Sequence, residues 1–373
     1  MDQSKGLTTW AEIDLAALEY NLDQIAAGLQ EESDIIAVVK ANAYGHGAIK
    51  VAQTVQEHPR VKMLAVATIE EGIELRKAEI ELPILVLGTI LESRIPEIIK
   101  YDLIPVVYTL DTAQKVAQEA KKRGAEIKVH LGLDTGMGRI GILVNNQPVE
   151  KIKTISDLEQ LTINGIFTHF AAADEDLEYT KEQLAKFNHL LSDLQKVGIE
   201  IPLKHVANSA AIIDLPASHF DLVRLGISLY GLPPAPKLAP QIDLKSVLSW
   251  KAHVVHVKRV SAGTNISYGC TYTTPKETKV ATLAVGYYDG YDRSLSNQAE
   301  VLIRGRRAPV IGRVCMDQIM VDVTGIEVHK GDIATLLGKD GDEKISAQEL
   351  ADKIGTINYE VVSRIGPRVE RIF

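Results

Sequence analysis

Eight short apolar segments, separated by stretches of helical character, constrain the fold more than any other feature of this sequence. Each is rich in Val, Ile and Leu and is bounded by polar residues, Gly or Pro, which is typical of a buried β-strand. The segments Thr112–Arg123 and Glu178–Val197 have helical spacing, and Gly198 follows the second as a helix-ending residue. The eight apolar segments are IIAVVK (35–40), MLAVAT (63–68), ILVLG (84–88), IPVVYT (104–109), IKVHLGLD (127–134), INGIFTHF (163–170), KHVANS (204–209) and LVRLG (222–226).

Near-continuous apolar strands that alternate with helices indicate a parallel sheet covered on both faces, and eight such units fit a closed (β/α)8 TIM-type barrel, an α/β fold. Four prolines lie within residues 233–240, and from Val247 onward apolar and polar residues alternate as they do in β-strands. We therefore predict a barrel over residues 1–240 and a mostly-β domain over residues 241–373. We also expect residues 1–13 to pair with the β domain.

The composition excludes several classes of function. The 49 acidic residues outnumber the 41 basic ones and both are scattered, so no basic stripe offers a surface for nucleic acid. Cys270 and Cys315 are the only cysteines, too few for a disulfide framework or a four-thiolate zinc site, which suits a reducing compartment. His253 and His256 lack metal-ligand spacing, and we interpret them as structural. The N-terminus has no apolar core of signal-peptide length, and no segment reaches the length of a membrane span, so we expect a cytoplasmic protein. We also expect no metal site.

Polar residues stand at the predicted carboxyl ends of several strands, where barrel enzymes carry their chemistry. Lys40 ends the first strand and His169 lies at the end of the sixth, while Asn208 and Ser209 end the seventh. Arg224 lies inside the otherwise apolar eighth strand. A buried lysine near another cation has a lowered pKa, which frees its amine to react with an aldehyde.

Each of these positions also has a purely structural interpretation. A lysine that closes a strand is usually a solvated end, and the glycines of KANAYGHG after Lys40 could serve only a turn. Asn208 and Ser209 could donate to a phosphate, although Ser is also the commonest helix cap. Arg224 needs a partner for its buried charge, and a structural salt bridge would supply one.

Seven ordered motifs, spread over nearly the whole chain, resemble those of the alanine racemases. They are VVKANAYGHG, LDTGMGRIG, THFAAAD, HVANSAA, VRLGISLYG, ISYGCTY and IGRVCMDQIMVDVT. The resemblance implies a racemase, an isomerase that depends on pyridoxal 5'-phosphate (PLP) and interconverts L- and D-alanine. It further implies a homodimer with shared active sites and a role in supplying D-alanine for peptidoglycan.

The resemblance also implies roles for individual residues. Lys40 matches the lysine that carries PLP and serves as acid/base for the D-substrate, and Tyr268 matches the acid/base for the L-substrate, contributed by the other subunit. Inversion needs one such group on each face of the substrate. A tyrosine has an ordinary pKa near 10 and needs cationic or hydrogen-bonding neighbours to ionise near neutrality, and His169 matches a histidine in that neighbourhood. Arg224 matches the residue that faces the pyridine nitrogen.

Further positions match binding residues of the family. The matched PLP-binding residues are Tyr44, Asn208, Ser209, Gly226, Ile227 and Tyr359. Arg139 and Met316 match substrate-binding residues, and Tyr287 and Arg293 match residues that line the substrate entrance. Gly132 departs from the pattern, because many relatives have there a lysine, modified to a carbamate, that positions the arginine matched by Arg139. We expect a bound anion or water to take its place.

Three alternatives share parts of this pattern. PLP-dependent decarboxylases of basic amino acids combine a barrel with a β domain, but their glycine-rich phosphate loop and catalytic cysteine motif are missing from this sequence. A non-catalytic PLP-binding barrel would need neither the β domain nor Tyr268. Racemisation of serine or another amino acid is hardest to separate by sequence, because one methylene is worth only about 1–3 kcal/mol.

Overall fold

A computed structural model describes residues 6–373, and its internal contacts divide the chain into two compact units. The barrel unit comprises residues 18–43 and 48–245. The strand unit comprises residues 6–17, 44–47 and 246–373. None of the helices in the described part of the chain has both the length and the apolar character needed to cross a bilayer.

The first strand of the chain, β1 (Thr9–Ile13), belongs to the strand unit, and the next nine form the sheet of the barrel unit. Eight of these nine are parallel neighbours in the order β10-β2-β3-β4-β5-β6-β8-β9, and the short β7 pairs with β6. The backbone N–H of Arg224 in β10 donates to the carbonyl of Ala207 after β9 (2.9 Å), which joins the two ends of the series. The predicted eight-stranded barrel is confirmed. The bounds are β2 Asp34–Val38, β3 Val61–Val66, β4 Ile84–Val86, β5 Leu103–Val107, β6 Ile127–Asp134, β7 Ile142–Leu143, β8 Leu161–Phe167, β9 Leu203–His205 and β10 Leu222–Leu225.

Several helices of this part of the chain begin where a side chain caps them. Thr109 accepts a hydrogen bond from the Thr112 backbone, and Asp176 accepts one from Tyr179. Both helices that were predicted by spacing therefore start one or two residues earlier than expected, directly after these caps. The helices are α1 Leu15–Ala27, α2 Lys40–Tyr44, α3 Ala48–Val55, α4 Ile69–Lys77, α5 Ile95–Lys100, α6 Leu110–Arg123, α7 Pro148–Ser156, α8 Leu177–Lys196 and α9 Ser209–Asp214.

The strand unit is built around one long strand, β11 (Leu248–Val260). The first half of β11 pairs antiparallel with β1 and β18, and its second half pairs with β14. Strand β1 also pairs in parallel with β20, so Thr9–Ile13 of the predicted segment 1–13 lie in this sheet; residues 1–5 lie outside the described residues. The other elements are β12 Asn265–Ile266, β13 Tyr272–Thr273, β14 Thr278–Leu283, β15 Glu300–Ile303, β16 Arg306–Pro309, β17 Ile319–Asp322, β18 Ile333–Asp340, β19 Glu343–Ile345, α10 Ala347–Ile354, α11 Asn358–Ser363 and β20 Glu370–Ile372.

The alternation of buried and exposed positions in β11 holds at His253 and breaks at His256, where the strand is irregular. Its register with β14 shifts between Val254 and His256, which is the effect of an extra residue in one strand. His253 hydrogen-bonds through Nδ1 to the carbonyl of Gly331 (3.2 Å) and packs beside Trp10.

Gly141 provides a test of how tightly the turn after β6 is built. Its φ is +141°, and an added Cβ would lie 2.5 Å from the Asp134 amide nitrogen. We expect Gly141→Ala to destabilise the protein by roughly 3 kcal/mol, because backbone atoms cannot move aside. Gly124, at φ +63° with nothing within 4 Å, is the matched control and should cost about 1 kcal/mol when replaced by Ala. Thermal unfolding followed by circular dichroism measures both, and equal shifts would contradict the close approach at Gly141.

Candidate active site

Lys40 lies at the start of an unusual turn directly beyond the first barrel strand. The sequence predicted that this strand ends at Lys40, but β2 ends at Val38, and the chain then enters one turn of left-handed helix. Ala41, Asn42 and Ala43 each have φ of +53°. Left-handed conformations cost L-residues roughly 1–2 kcal/mol each, so the surrounding structure must stabilise this turn.

Three hydrogen bonds hold the left-handed turn. The Ala41 backbone N–H donates to Glu71 Oε1 (2.7 Å), and the Asn42 side-chain oxygen accepts from the first residue of α3, Ala48 (2.8 Å). The Ala43 N–H donates to the carbonyl of Val39 (2.9 Å). Glu71 also completes the capping box of α4, so one carboxylate serves both a helix start and the turn that carries Lys40. The sequence analysis missed Glu71, although T-x-x-E is a recognisable capping-box pattern.

The surroundings of Lys40 favour its neutral amine. Burial lowers its pKa most, the charge of Arg139 lowers it further, and Glu71 partly opposes them; Arg224 adds a smaller lowering effect. The Nζ atom makes no hydrogen bond or ion pair with residues 6–373. Such an amine is suited to nucleophilic attack on a carbonyl.

Arg224 is almost completely buried and spans the end of the barrel. Nη1 donates to the carbonyl and Nδ1 of His205 (2.7 and 2.9 Å). Nη2 donates to the carbonyls of Thr168 (2.8 Å) and Val206 (2.9 Å), and lies 3.1 Å from His169 Nδ1. None of the ion pairs in the described part of the chain involves Arg224, so the alternative of a structural salt bridge is wrong. Burial lowers its pKa to about 9, which leaves it charged at neutral pH.

The guanidinium makes all these hydrogen bonds through its two terminal nitrogens. The Nε–H has no acceptor among residues 6–373, which leaves one donor available at this end of the barrel. His169, half-buried just past β8, accepts from Arg224 and has a pKa lowered to about 3 by burial, then by the charge of Arg224. His169 is therefore neutral, with Nδ1 as an acceptor.

Hydroxyl groups line the end of the barrel between α9 and β10. Ser209 Oγ, at the first position of α9, accepts from the backbone N–H of Gly226 (3.0 Å) and of Ser228 (3.4 Å). Ser228 Oγ is buried and has no hydrogen-bond partner in the described part of the chain. The cap of α9 is Asn208, whose side-chain oxygen accepts from the Ala211 N–H, whereas the sequence analysis offered Ser209 as the cap. Ile227 follows Gly226 in the adjoining short 3-10 turn.

Arg139 projects from the glycine-rich loop after β6. Asp134 organises this loop by accepting from the N–H groups of Gly136 (2.9 Å) and Gly138 (3.1 Å). Arg139 is exposed and makes no hydrogen bond or ion pair within residues 6–373. Gly132 lies in β6, and a Cβ there would already approach Val106 Cγ1 to 3.1 Å.

The other candidate residues belong to the strand unit, where several are unusually exposed for their type. Tyr268 is 71% exposed and Met316 is 50% exposed. Tyr268 follows Ser267, which has φ of +65° and whose hydroxyl donates to the carbonyl of Arg313 (2.6 Å). The exposed Tyr287 is fixed by its backbone N–H, which donates to the carbonyl of Cys315 beside Met316 (3.0 Å).

Two further tyrosines of the strand unit face each other. The rings of Tyr44 and Tyr359 lie 6.3 Å apart, and burial raises the pKa of Tyr44 to about 12. Gly45, at φ +85°, allows this approach because a Cβ there would come within 2.2 Å of the carbonyl of Val362. Arg293 is exposed in a short 3-10 turn.

The structure thus brings some of the predicted residues together within each unit. In the barrel unit, one end of the barrel carries Lys40, Arg139, His169, Asn208, Ser209, Arg224, Gly226 and Ile227. The strand unit carries Tyr44, Tyr268, Tyr287, Arg293, Met316 and Tyr359. The sequence analysis missed His205, although a histidine in an apolar strand carries the same signal that singled out Arg224.

Comparison with known proteins identifies the family. Residues 13–234 match the model of the alanine racemase N-terminal domain, and residues 247–373 match that of the C-terminal domain. Alanine racemase from Halothermothrix orenii is 52% identical over 365 residues, covering 97% of this chain and 96% of that protein. The crystal structure of alanine racemase from Bacillus anthracis with bound L-Ala-P has a TM-score of 0.93 at 39% identity, covering 98% of this chain and 95% of that one. The enzyme from Bartonella henselae, with covalently bound pyridoxal phosphate, has a TM-score of 0.87 at 29% identity, covering 98% and 99% of the two chains. The chain belongs to the alanine racemase family.

Proposed function

We propose that this protein interconverts L-alanine and D-alanine, with Lys40 and Tyr268 as the two acid/base residues. The observation that carries the proposal is the surroundings of Lys40. Its amine has a lowered pKa, no hydrogen-bond partner in residues 6–373, and two arginines close enough to influence it. Family membership supplies the reaction, and these surroundings supply a lysine able to take part in it.

Enzymes of the alanine racemase family depend on PLP, and the barrel unit offers groups that suit each part of that cofactor. The amine of Lys40, with its lowered pKa, suits its aldehyde, and the unbonded Nε–H of Arg224 suits a ring nitrogen. The hydroxyls of Ser209 and of the unpartnered Ser228 suit a phosphate. When bound, PLP withdraws electrons from the substrate and acidifies its Cα–H. We assign Tyr44, Asn208, Gly226, Ile227 and Tyr359 to cofactor binding as well.

Arg224 would hold the ring nitrogen of PLP with a hydrogen bond and would keep its own proton. A guanidinium has only donors, and at a pKa of about 9 this one stays charged at neutral pH. By leaving the ring unprotonated, Arg224 would limit its electron withdrawal and with it side reactions such as transamination. His169 accepts from Arg224 and, with the opposite ring nitrogen, can donate toward a phenolate.

Lys40 exchanges the Cα proton on the face that belongs to D-alanine, and Tyr268 does so on the face that belongs to L-alanine. Inversion requires a group on each face, since one base can only return a proton to the side it came from. Arg139 and Met316 bind the substrate, and Tyr287 and Arg293 line its entrance.

We further propose a homodimer in which Tyr268 and Met316 complete the active site of the partner. Covering these two exposed side chains by a partner would remove their apolar surface from water, which favours association. We also propose a cytoplasmic location, with which the two free cysteines, Cys270 and Cys315, are consistent. The role that we propose for the enzyme is to supply D-alanine for peptidoglycan.

Tyr268→Phe tests the two-base assignment. The variant keeps the ring and loses the proton-transferring hydroxyl, so we expect racemisation of L-alanine to fall by about 10²–10⁴-fold. The absorbance of bound PLP should be unchanged. Chiral chromatography of the product measures the rate, with L-serine as the comparison substrate and L-alanine expected to react faster.

Tyr288→Phe is the matched control, because Tyr288 is another exposed tyrosine of the same unit (62%) with no proposed catalytic role. It should keep wild-type activity. Equal activity of the Tyr268 variant and wild type would refute the role of Tyr268, and a PLP-loaded wild type that racemises neither amino acid would refute the proposed function.

The lowered pKa of Lys40 predicts its reactivity as a function of pH. Competitive labelling of the PLP-free protein with acetic anhydride should show Lys40 becoming reactive at a midpoint below 10.5, because burial and Arg139 disfavour its charged form. Lys121, whose exposed charge pairs with Glu159, should show a midpoint above 10.5. A Lys40 midpoint at or above that of Lys121, measured by mass spectrometry, would contradict the electrostatics described above.

The missing lysine at position 132 leads to a prediction about Arg139. Since Arg139 has no partner in residues 6–373 and Gly132 cannot carry a carbamate, we propose that an anion or water lies beside it. Bromide-soaked crystals should show an anomalous peak near Arg139, or a conventional map should show an ordered water. A map with neither feature would refute the prediction.

A further inference from the structure

A pair of buried histidines lies beneath Arg224, at a position that the proposed mechanism does not use. His130 is in β6 and His205 ends β9, and the His130 Nδ1 and His205 Nε2 atoms are 2.9 Å apart. Both side chains are completely buried. Phe167 stacks on His205, with ring centroids 4.8 Å apart and planes inclined by 7°. The chain of contacts therefore runs from His130 through His205 to Arg224.

The barrel makes specific room for the His130 ring. The register between β6 and β8 shifts just before His130, which places it opposite Gly165. A Cβ at Gly165 would come within 2.5 Å of the imidazole, so only glycine is compatible with the ring in this place. The glycine and the histidine thus form one structural feature.

Both histidines are neutral. Burial lowers the pKa of His130 to about 3, and the pKa of His205 well below its usual range, with the charge of Arg224 as the second cause in each case. A neutral imidazole has one N–H and one lone pair, so each ring must be in one of two tautomers.

The contacts of His205 with Arg224 and with His130 show which tautomer each ring has. A guanidinium has no acceptor, so His205 Nδ1, 2.9 Å from Nη1, must present its lone pair. His205 Nε2 therefore carries the hydrogen and donates it to His130 Nδ1. The hydrogen of His130 is then on Nε2.

The alternative arrangement places two donors against each other. If His205 carried its hydrogen on Nδ1, that N–H would point at an N–H of Arg224 across 2.9 Å, and the guanidinium would have to move. His130 Nε2 is buried and has no acceptor in residues 6–373, which is itself unfavourable. The His130 ring thus keeps its Nδ1 contact with His205 even though its Nε2–H is left unsatisfied.

We propose that His130 is a positioning residue for Arg224. By accepting from His205 Nε2, His130 holds His205 in the tautomer that accepts from the guanidinium. The contribution to rate rests on the proposed racemase function, but the tautomers do not. Fixed Nη contacts set the plane of the guanidinium and with it the direction of the free Nε–H. His130 thereby controls the donor assigned to the ring nitrogen without touching it.

The wild-type protein gives the first test. Solid-state ¹⁵N NMR of microcrystalline, PLP-loaded protein with labelled histidine distinguishes protonated from unprotonated ring nitrogens. We expect both His130 and His205 to be protonated on Nε2 and unprotonated on Nδ1, with assignment by single substitutions. A His205 protonated on Nδ1 would overturn the proposal, whether or not the protein racemises alanine.

Two substitutions separate hydrogen bonding from packing. His130→Asn can place its amide oxygen where Nδ1 lies, whereas His130→Leu fills space without an acceptor. We expect His130→Leu to give a mixture of His205 tautomers and to lower kcat about tenfold, the equivalent of one lost hydrogen bond, with little change in KM. His130→Asn should restore the single tautomer and most of the rate.

His219→Leu is the control for removal of a buried histidine. His219 is buried in the same unit and bonds through Nε2 to the carbonyl of Ile212 (3.0 Å), with no contact to Arg224. This variant should keep both kcat and the His205 signals. Equal losses of rate in His130→Leu and His130→Asn, with His205 unchanged in both, would assign His130 to packing alone and refute the proposal.

Discussion

The buried guanidinium of Arg224 is the interaction on which the end of the barrel depends. A charge in an apolar interior is strongly unfavourable unless its donors are bonded, and here carbonyl oxygens meet that need without a carboxylate. The carbonyls of Thr168, His205 and Val206 belong to the chain after β8 and around the end of β9, and all converge on Arg224 in β10. One side chain thus ties three neighbouring strands at the place where the barrel ends meet. Because no carboxylate within residues 6–373 pairs with Arg224, its positive charge remains to act on Lys40 and on the histidines.

Two devices prepare the barrel unit for chemistry, and both store unfavourable conformations or contacts. The left-handed turn after β2 holds residues in a conformation that they would not adopt alone, and Glu71 and Asn42 stabilise it. The His130–His205 pair leaves the buried Nε2 of His130 without a hydrogen-bond partner in residues 6–373. Such features persist where the surrounding structure fixes them, and they are concentrated around functional sites. In this protein they adjoin Lys40 and Arg224, whose amine and guanidinium must be held in a fixed orientation.

The strand unit contributes in a different way. Its sheet is organised around β11, and its core buries Trp10 and Trp250, whose indole donates to Thr9 (2.9 Å). Around this rigid centre, short turns with positive φ present large side chains to solvent, among them Tyr268. The sheet thus fixes both ends of these turns, so that their exposed side chains are held at defined positions. This division suits a unit whose proposed role is to complete the site of a partner.

The sequence by itself determined the eight-stranded barrel, because buried parallel strands need uninterrupted apolar runs that can be read directly. It also singled out Lys40 and Arg224, because polar residues in such runs are conspicuous, and the ordered motifs indicated the family. Strand ends were placed two to four residues too late at Lys40, His169 and Asn208, since the sequence does not show where hydrogen bonding between strands stops. Only the tertiary structure decided that neutral carbonyls and histidines, and no salt bridge, satisfy Arg224, and that Gly165 makes room for His130. These arrangements depend on register between strands that are distant in sequence, and local composition carries no record of that register.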